Sequence, residues 1–537
     1  MKTLIRIPIL LFLIVVLLAR FGFMPLARAV SPPPDGCYPG FTTAEGCNAL
    51  TALTTGAGNT AVGWYSLFSN SDGNYNTGFG AGTLVLNNAD SNTAVGAAAL
   101  LLNTTGSENT AVGTDALVYN DSGSGNTATG FNALVSNVGG VQNTANGTEA
   151  LALNTASHNT ATGFHALYSN TNADNNTAVG YEALLSNTGP LAAENTAVGF
   201  RALRSNTGGG ANTAIGYQAL QNNTMGFANT AFGVQALFSN NTGQANTATG
   251  LQALQNNTDG GNNTANGFIA LGSNTHGSSN TAEGNNALGG NTEGSDNTAI
   301  GIAALSSNTM SDGNTAVGSH ALATTTGSVN IALGSNAGSN ITAGNRNIDI
   351  GNSGDPADSN TIRIGTGGIH TSTFVAGIFG QVASGGATVF VASDGKLGTN
   401  VSSRRFKQEI RPMDRASEAI LALQPVAFRY KKEFDSTRTA QFGLVAEDVE
   451  RVNPDLVVHD KEGKPYSVRY DQVNAMLLNE FLKDHRTVLE QGATIAELKK
   501  DIAHLTTTVK EQAALIQKVS TQIEESERAT PAVVNNP

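Results

Sequence analysis

The sequence predicts a mainly β protein: a repetitive parallel β-roll or β-solenoid shaft, then a small α+β domain, then a C-terminal coiled coil. Three observations support this fold class. A short Asn-Thr-Ala motif recurs through the first two thirds of the chain. The composition, with 62 glycines and 13% charged residues in 537, suits stacked thin layers better than one ordinary core. Lysine, absent since Lys2, returns only at Lys396, which indicates a different kind of domain.

The repeat defines the shaft, which we predict to span residues 59–334. Its order is N-T-A-x-G-x-x-A-L-x-x-N followed by a loop, and its period is mostly 17 residues, sometimes 16 and once 19. The 17 copies begin at Asn59, Asn76, Asn92, Asn109, Asn126, Asn143, Asn159, Asn176, Asn195, Asn212, Asn229, Asn246, Asn263, Asn280, Asn297, Asn314 and Asn330.

Each fixed position of the repeat has a physical role if the copies stack as rungs. Asparagine amides would pair up and down the stack as ladders. The glycine permits a turn or a close backbone approach, while alanine and leucine form a narrow apolar seam. At about 4.8 Å per strand, the 17 rungs predict a rod of roughly 80 Å. A helix over half of each repeat, such as residues 180–187, is an alternative that the Asn, Thr and Gly content disfavours.

Charge divides the chain into two regions. Between Val30 and Gly395 there are 4 arginines, no lysine and 20 acidic residues, a net charge of about −16. This region will repel polyanions, so no nucleic-acid partner is predicted. From Lys396 onward, 21 basic residues balance 21 acidic ones. The basic stretch at 404–407 therefore opens a balanced domain and does not indicate a nucleic-acid site.

Residues 1–29 are predicted to be a secretory signal. Two basic residues precede an apolar run of 12 residues, 7–18, which is short for a membrane span. Residues 27–29 fit an A-x-A cleavage site. An uncleaved membrane anchor is the alternative, and after signal removal we expect no stable membrane insertion.

Residues 30–58 form a leader that contains the only two cysteines, Cys37 and Cys47. In an exported chain this pair is predicted to close one small disulfide loop. Two free thiols are the alternative.

The chain after the repeats divides into four predicted segments. Residues 335–400 form a β connector, because alternating isoleucines persist after the period is lost. Residues 401–490 mix helix and strand patterns, residues 491–528 carry heptads typical of a parallel coiled coil, and residues 529–537 form a disordered tail. β-Branched residues at a favour two strands, so dimer and trimer both stay open. The a positions are Ile495, Ile502, Val509, Ile516 and Ile523, and the d positions are Leu498, Leu505, Gln512 and Val519.

Acidic side chains on the shaft raise an alternative function, since β-solenoids host glycan-cleaving enzymes that use paired carboxylates. Asp115, Glu149, Glu182 and Asp296 form no obvious cluster in the sequence, so we expect solvated charges that keep a rod soluble. No metal site and no cofactor is predicted.

The repeat resembles the head repeats of trimeric bacterial adhesins, in which an N-[ST]-x-A-x-G-like unit builds a left-handed parallel β-roll from three chains. The present repeat is longer and carries an extra Ala-Leu step. The resemblance covers about half of the chain and implies a trimeric shaft.

The C-terminal third is similar to the peptidase S74 family, the self-cleaving intramolecular chaperone domain of phage tailspikes and endosialidases. The matching segments are "SSRRFKQEIRPM", "ALQPVAFRYK", "FGLVAEDVERVNPDLV" and "VRYDQVNAML", followed by the helical tail. The resemblance implies a domain that helps a β-rich fibre to trimerise and then detaches. It also implies a catalytic serine and a lysine five residues later, here Ser402 and Lys407. The family pattern has aspartate after the serine, whereas this chain has Ser403.

The chemistry of such a pair is reasonable on its own terms. A serine hydroxyl is a weak nucleophile that needs a base, and a lysine serves when burial or nearby positive charge lowers its pKa. Arg404 and Arg405 supply such charge close in sequence.

The predicted function is therefore an exported surface fibre or adhesin-like protein of a bacterium, secreted or held at the cell surface. Its partners would be further copies of itself, as a homotrimer, and a surface glycan or host receptor. The only expected enzymatic activity is single-turnover self-cleavage. A tailspike-like fibre that binds or degrades a polysaccharide is the alternative, and a phage tail fibre proper is disfavoured by the signal.

Overall fold

The computed structural model describes residues 39–378, 384–392, 394–460 and 462–528. The chain divides into two compact units, with the boundary between Phe374 and Val375. The predicted signal, Cys37 and the predicted tail lie outside the described residues. Among the described residues, no helix combines the length and the apolar character needed to cross a membrane.

The first unit is a β-solenoid built on one sheet of 20 short parallel strands. Each strand pairs with its neighbours in chain order and in register, so that Thr213 lies beside Thr230 and Ala214 beside Ala231. This confirms the predicted parallel solenoid. A 3₁₀ turn at Pro39–Phe41 precedes the sheet. The strands are β1 (Thr43–Glu45), β2 (Thr60–Val62), β3 (Thr77–Phe79), β4 (Thr93–Val95), β5 (Thr110–Val112), β6 (Thr127–Thr129), β7 (Thr144–Asn146), β8 (Thr160–Thr162), β9 (Thr177–Val179), β10 (Thr196–Val198), β11 (Thr213–Ile215), β12 (Thr230–Phe232), β13 (Thr247–Thr249), β14 (Thr264–Asn266), β15 (Thr281–Glu283), β16 (Thr298–Ile300), β17 (Thr315–Val317), β18 (Ile331–Leu333), β19 (Ile348–Ile350) and β20 (Ile362–Ile364).

The core of the solenoid is the predicted seam of alanine and leucine. In the rung that starts at Asn229, the middle strand residue Ala231 and the pair Ala236 and Leu237 are fully buried. The same three positions are buried in most other rungs, and together they form one continuous cluster. Because each rung covers its neighbour, a thin repeat obtains a buried core that it could not form alone.

The helical alternative for half of each repeat is wrong. Residues 181–186 lie in turns, and Glu182 and Leu184 have φ of 53° and 52°. A right-handed helix requires negative φ. The left-handed conformation costs an L-residue such as leucine about 1–2 kcal/mol of conformational free energy. Full burial and a hydrogen bond from the Leu184 N–H to the Ala202 carbonyl, at 3.0 Å, hold this conformation in place.

The two asparagine positions of the repeat form the predicted ladders. The Asn229 backbone N–H and Nδ2 both donate to Asn212 Oδ1, at 2.9 and 3.2 Å. In the second ladder, Asn240 Nδ2 donates to Asn223 Oδ1 at 2.8 Å. Both Asn229 Nδ2 and Asn240 Nδ2 also donate to the Gly243 carbonyl, at 2.8 and 2.9 Å. The ladders therefore satisfy backbone groups of the buried loop as well as each other.

The invariant glycine of the repeat marks a close approach between rungs. Gly233 has φ of 142°, and a Cβ at this position would lie 2.4 Å from the Gly250 carbonyl oxygen. No side chain fits in that space, and L-residues rarely adopt this φ.

The sheet extends beyond the recognisable repeats. β1 precedes residue 59, and β19 and β20 follow residue 334. The inward, middle position of β18 is Ala332. At the equivalent position β19 has Asp349 and β20 has Arg363. Hydrogen bonding and register therefore continue where the apolar motif has ended.

Within its described residues, the second unit contains three two-stranded antiparallel sheets and two helices. The sheets are β21 (Val389–Val391) with β22 (Leu397–Thr399), β23 (Val426–Phe428) with β24 (Gln441–Gly443), and β25 (Val457–His459) with β26 (Pro465–Val468). The helices are α1 (Ala446–Val452) and α2 (Tyr470–Arg528), and 3₁₀ segments cover Arg404–Phe406, Asp414–Ala422 and Pro454–Leu456.

The core of the second unit is small. Within its described part, five apolar side chains are buried and form one cluster: Val449, Leu456, Val457, Val468 and Met476. Many large apolar side chains of the unit stay exposed, among them Phe434 at 82% and Phe442 at 85%. The heptad segment predicted at residues 491–528 is helical, as part of α2, while its association into a coiled coil stays a prediction.

Candidate functional site

The two residues of the predicted catalytic pair flank the 3₁₀ turn Arg404–Phe406 of the second unit. Ser402 precedes this turn and Lys407 follows it. The turn is closed by hydrogen bonds from the Phe406 N–H to the Ser403 carbonyl at 3.0 Å and from the Lys407 N–H to the Arg404 carbonyl at 3.1 Å. The sequence spacing of five residues is thus spanned by a single turn.

The structure places both side chains at the surface and does not join them. Ser402 and Lys407 are exposed, and neither side chain forms a hydrogen bond or an ion pair with any described residue. The Arg405 guanidinium lies over the Phe406 ring, 4.5 Å from its centre. A lysine acts as a base only when neutral, a form that burial favours. The pair therefore still lacks the desolvation that this chemistry needs.

The segment also exposes apolar side chains. Val401, Phe406 and Ile410 are 55%, 56% and 52% exposed. Exposed apolar surface of this kind can mark a place where another molecule binds.

A serine and a lysine that do meet, Ser417 and Lys483, lie elsewhere in the same unit, and sequence reasoning missed them. Ser417 Oγ donates to Glu480 Oε1, and Asn479 Nδ2 donates to Ser417 Oγ at 2.6 Å. Lys483 Nζ lies 2.7 Å from Glu480 Oε1 and 3.4 Å from Ser417 Oγ. Lys483 and then Ser417 hold the pKa of the Glu480 carboxyl below its usual value.

This polar cluster is structural because a substrate peptide cannot reach it. Ser417 is fully buried and Glu480 is 9% exposed. The cluster fixes α2 against the 3₁₀ segment Asp414–Ala422 and satisfies every polar atom it buries. The Glu480–Lys483 spacing of three residues is visible in the sequence, but the contact with a serine 63 residues away is not.

The acidic residues of the shaft are engaged in ion pairs or stand apart. Glu149 Oε2 lies 2.7 Å from His165 Nε2, and Glu182 Oε2 accepts from Arg201 Nε and Arg204 Nε at 2.9 and 2.6 Å. Burial raises the pKa of the Asp115 carboxyl, which forms no ion pair with any residue that the structure describes. Over the described residues, no group of three or more metal-ligating side chains is placed to hold an ion.

Cys47 is exposed on the first turn of the solenoid. Its predicted partner Cys37 lies outside the described residues, so the disulfide stays a prediction.

The heptad positions of α2 form an exposed apolar face. Ile502, Leu505 and Val509 are 61%, 60% and 60% exposed, and the other apolar a and d residues are exposed to at least 50%. A helix with this pattern is completed by other helices that cover the seam.

Residues 402–458 match the family model of peptidase S74, described as chaperone of endosialidase. The match begins at Ser402, contains Lys407 and ends inside β25. Similarity to any curated protein or solved structure was not found. The resemblance noted from the sequence is thereby confirmed over these residues. A chaperone segment of this family behind a β-solenoid fits a tailspike or fibre protein with a trimerisation chaperone.

Proposed function

We propose that the protein is an exported fibre whose C-terminal unit brings copies of the chain together and then cleaves itself from the shaft. The observation that carries this proposal is the peptidase S74 match at residues 402–458, C-terminal to a 20-stranded solenoid in the same chain. Near-identical rungs can pair in many wrong registers. A unit that fixes chain number and register at one end resolves that problem.

Exposed apolar surface of the second unit supports self-association. Its buried core has only five apolar side chains within the described residues, whereas Phe434, Phe442 and Tyr466 are more than three quarters exposed. A unit of this size gains stability when copies cover such side chains. The exposed heptad face of α2 supplies a second contact of the same kind.

Self-cleavage would follow from that association. In the single chain, Ser402 and Lys407 are exposed and have no hydrogen bond to each other. When copies pack against Val401, Phe406 and Ile410, Lys407 is removed from water. Desolvation of this kind favours the neutral form of a lysine over the charged form. Neutral Lys407 can then take the proton of the Ser402 hydroxyl as this oxygen attacks the Val401 carbonyl carbon. The Val401–Ser402 peptide bond breaks, the Ser402 amine takes the proton back from Lys407, and water then hydrolyses the resulting ester to a Val401 carboxylate and a free Ser402 hydroxyl.

A denaturing gel with mass spectrometry of the fragments tests the cleavage. We expect the wild type to yield a C-terminal fragment that starts at or beside Ser402, and Ser402→Ala and Lys407→Ala to stay uncut. Ser403→Ala and Lys432→Ala are matched controls that should be cut normally. A single uncut wild-type band, at 55.0 kDa less any signal, contradicts self-cleavage.

Light scattering of the intact Lys407→Ala chain tests the assembly separately. We expect the mass of three chains, and a monomer contradicts the fibre proposal whatever the gel shows.

Export is proposed from residues 1–29. Fractionation of bacteria that express the full chain, or the chain without these residues, should place only the former outside the cytoplasm. Cytoplasmic retention of both contradicts export.

A further inference from the structure

One face of the solenoid presents two continuous columns of outward side chains, which we name the threonine strip. The first residue of each strand forms one column and the third residue forms the other, because the middle residue points inward. The first column contains 17 threonines in register. They are Thr43, Thr60, Thr77, Thr93, Thr110, Thr127, Thr144, Thr160, Thr177, Thr196, Thr213, Thr230, Thr247, Thr264, Thr281, Thr298 and Thr315.

The threonine hydroxyls of this column are not used for hydrogen bonds within the described part of the chain. All 17 are at least partly exposed, and none of their hydroxyls forms a hydrogen bond with a described residue. In the second column, 13 of the 20 residues are Val, Ile, Leu or Phe. Phe79 and Phe232 are the largest, at 56% and 53% exposed. The strip is thus an unpartnered face of methyl, hydroxyl and aromatic groups.

The strip is almost free of charge on a strongly acidic shaft. Of the 20 acidic residues between Val30 and Gly395, only Glu45 and Glu283 lie on it, and it holds none of the 4 arginines. Two such shafts repel each other where their acidic residues face one another. They can approach closely along this strip because it carries almost no charge.

The size of the strip fits a stable interface. Nineteen steps between the 20 strands, at about 4.8 Å each, give a length of roughly 90 Å. Its two columns are roughly 7 Å apart, so the strip offers roughly 600–900 Å². A standard interface uses about 800 Å² from each partner.

We propose that other copies of this chain pack against one another along the threonine strip. This inference rests on the proposed self-association and assigns the surface that the shaft uses for it. Copies held in register by their C-terminal units meet at high effective concentration, and each rung then faces its own counterpart. Small β-branched residues allow the close approach, and Phe79 and Phe232 meet their equivalents in the other copies.

Crosslinking of the full-length chain tests the assignment. In a Cys37→Ser/Cys47→Ser background, Thr196→Cys places a thiol on the strip, and Thr188→Cys places one on an exposed loop of the preceding rung. Treatment with a short bismaleimide should join Thr196→Cys chains covalently and leave Thr188→Cys chains single. If the Thr196→Cys protein is an oligomer by light scattering yet stays uncrosslinked, the strip is not the contact.

Two lysines introduced on the strip provide a second test. Val179→Lys with Val198→Lys, added to the Thr196→Cys chain, should lower the crosslinked fraction at least about tenfold, because unpaired charge would be buried. Thr188→Lys with Met225→Lys adds the same charge at exposed positions outside the strip and should leave the yield unchanged. Equal yields from both pairs overturn the inference. A monomeric background protein instead overturns the proposed self-association, so the two failures are distinguishable.

Discussion

Replacement of Asp349 by alanine should stabilise the C-terminal end of the solenoid at neutral pH. Asp349 occupies the inward column in which Ala332 precedes it. It is 1% exposed, and its Oδ2 has no hydrogen-bond partner in the structure. Burial, together with the neighbouring Asp358 carboxylate, raises the pKa of Asp349 from 3.8 to about 6, although Arg363 opposes the shift. Arg363 Nη2 is instead bound to Asp358, at 2.7 Å.

The magnitude follows from this pKa. Because the folded-state pKa lies above the ordinary value, folding favours the protonated carboxyl. The contribution of protonated Asp349 to the free energy of unfolding is complete below about pH 3.8 and is lost as the pH rises through about 6. About two pKa units correspond to roughly 3 kcal/mol at pH 7. Asp349→Ala removes this loss and leaves a small cavity that offsets part of the gain. We therefore expect a net stabilisation of about 1–3 kcal/mol.

Native-state hydrogen exchange measures this local effect, since a long repeat need not unfold in two states. The reporters are the Ile348 amide, bonded to the Thr361 carbonyl, and the Gly365 amide, bonded to the Ile350 carbonyl. At pH 7 their exchange, corrected for intrinsic rate, should slow by roughly ten- to a hundredfold in Asp349→Ala. The difference should shrink towards pH 4.

Two comparisons sharpen the result. The Thr230 amide, in the middle of the shaft, should be unaffected. Asp349→Asn keeps the shape without the charge, so it should abolish the pH dependence while giving a smaller gain, because its amide is also unbonded. Exchange that is unchanged at pH 7 in Asp349→Ala, or a difference that is the same at pH 4 and pH 7, would show that the buried Asp349 charge does not destabilise this end of the solenoid.

Three further predictions follow from the packing. Asn229→Ala should destabilise its rung by about 2–4 kcal/mol, because buried backbone partners lose their bonds; faster exchange confined to the adjacent rungs is the check, and Thr188→Ala, on an exposed loop, is the control. Gly233→Ala should prevent correct stacking, because its Cβ would lie 2.4 Å from a carbonyl oxygen; circular dichroism melts should show early unfolding, and a wild-type melt would contradict the close approach. Glu480→Gln should weaken the second unit above pH 4.5 and not in acid, because the lowered pKa of Glu480 makes its stabilisation vanish as the pH falls; melts of wild type and variant that differ equally at pH 3 and pH 7 would contradict this.

Much of the shaft could be predicted because its information is local and repeated. The fixed positions of each copy indicate which residues point inward. Ala231, Leu237 and Asn229 are buried, as expected for stacked rungs. The left-handed φ of the leucines was not predictable from propensity, because tertiary hydrogen bonds and burial override a local preference. β19 and β20 lie in the predicted β connector, but the sequence did not predict that they join the solenoid sheet or that β1 precedes the repeats, since the Asn-Thr-Ala motif is absent there.

The candidate site divides in the same way. The sequence alone predicted Ser402 and Lys407 as a catalytic pair, through ordered motifs of which the first three lie within the residues that match the peptidase S74 model. Only the tertiary structure revealed that both side chains are exposed and unpaired, and that Ser417 meets Glu480 across 63 residues. Spacing within one segment fixes which residues share a turn. It cannot fix which distant segments meet, because that depends on how the whole chain buries its apolar surface.

The period, the inward columns and the border between an acidic shaft and a charge-balanced unit are all encoded locally in the amino-acid sequence. Which outward residues stay uncovered became visible only in three dimensions, where the threonine strip and the buried Asp349 appear. A repeat encodes the contacts between neighbouring rungs and no more. Exposure and the pKa of a buried carboxyl depend on everything that surrounds a residue in three dimensions.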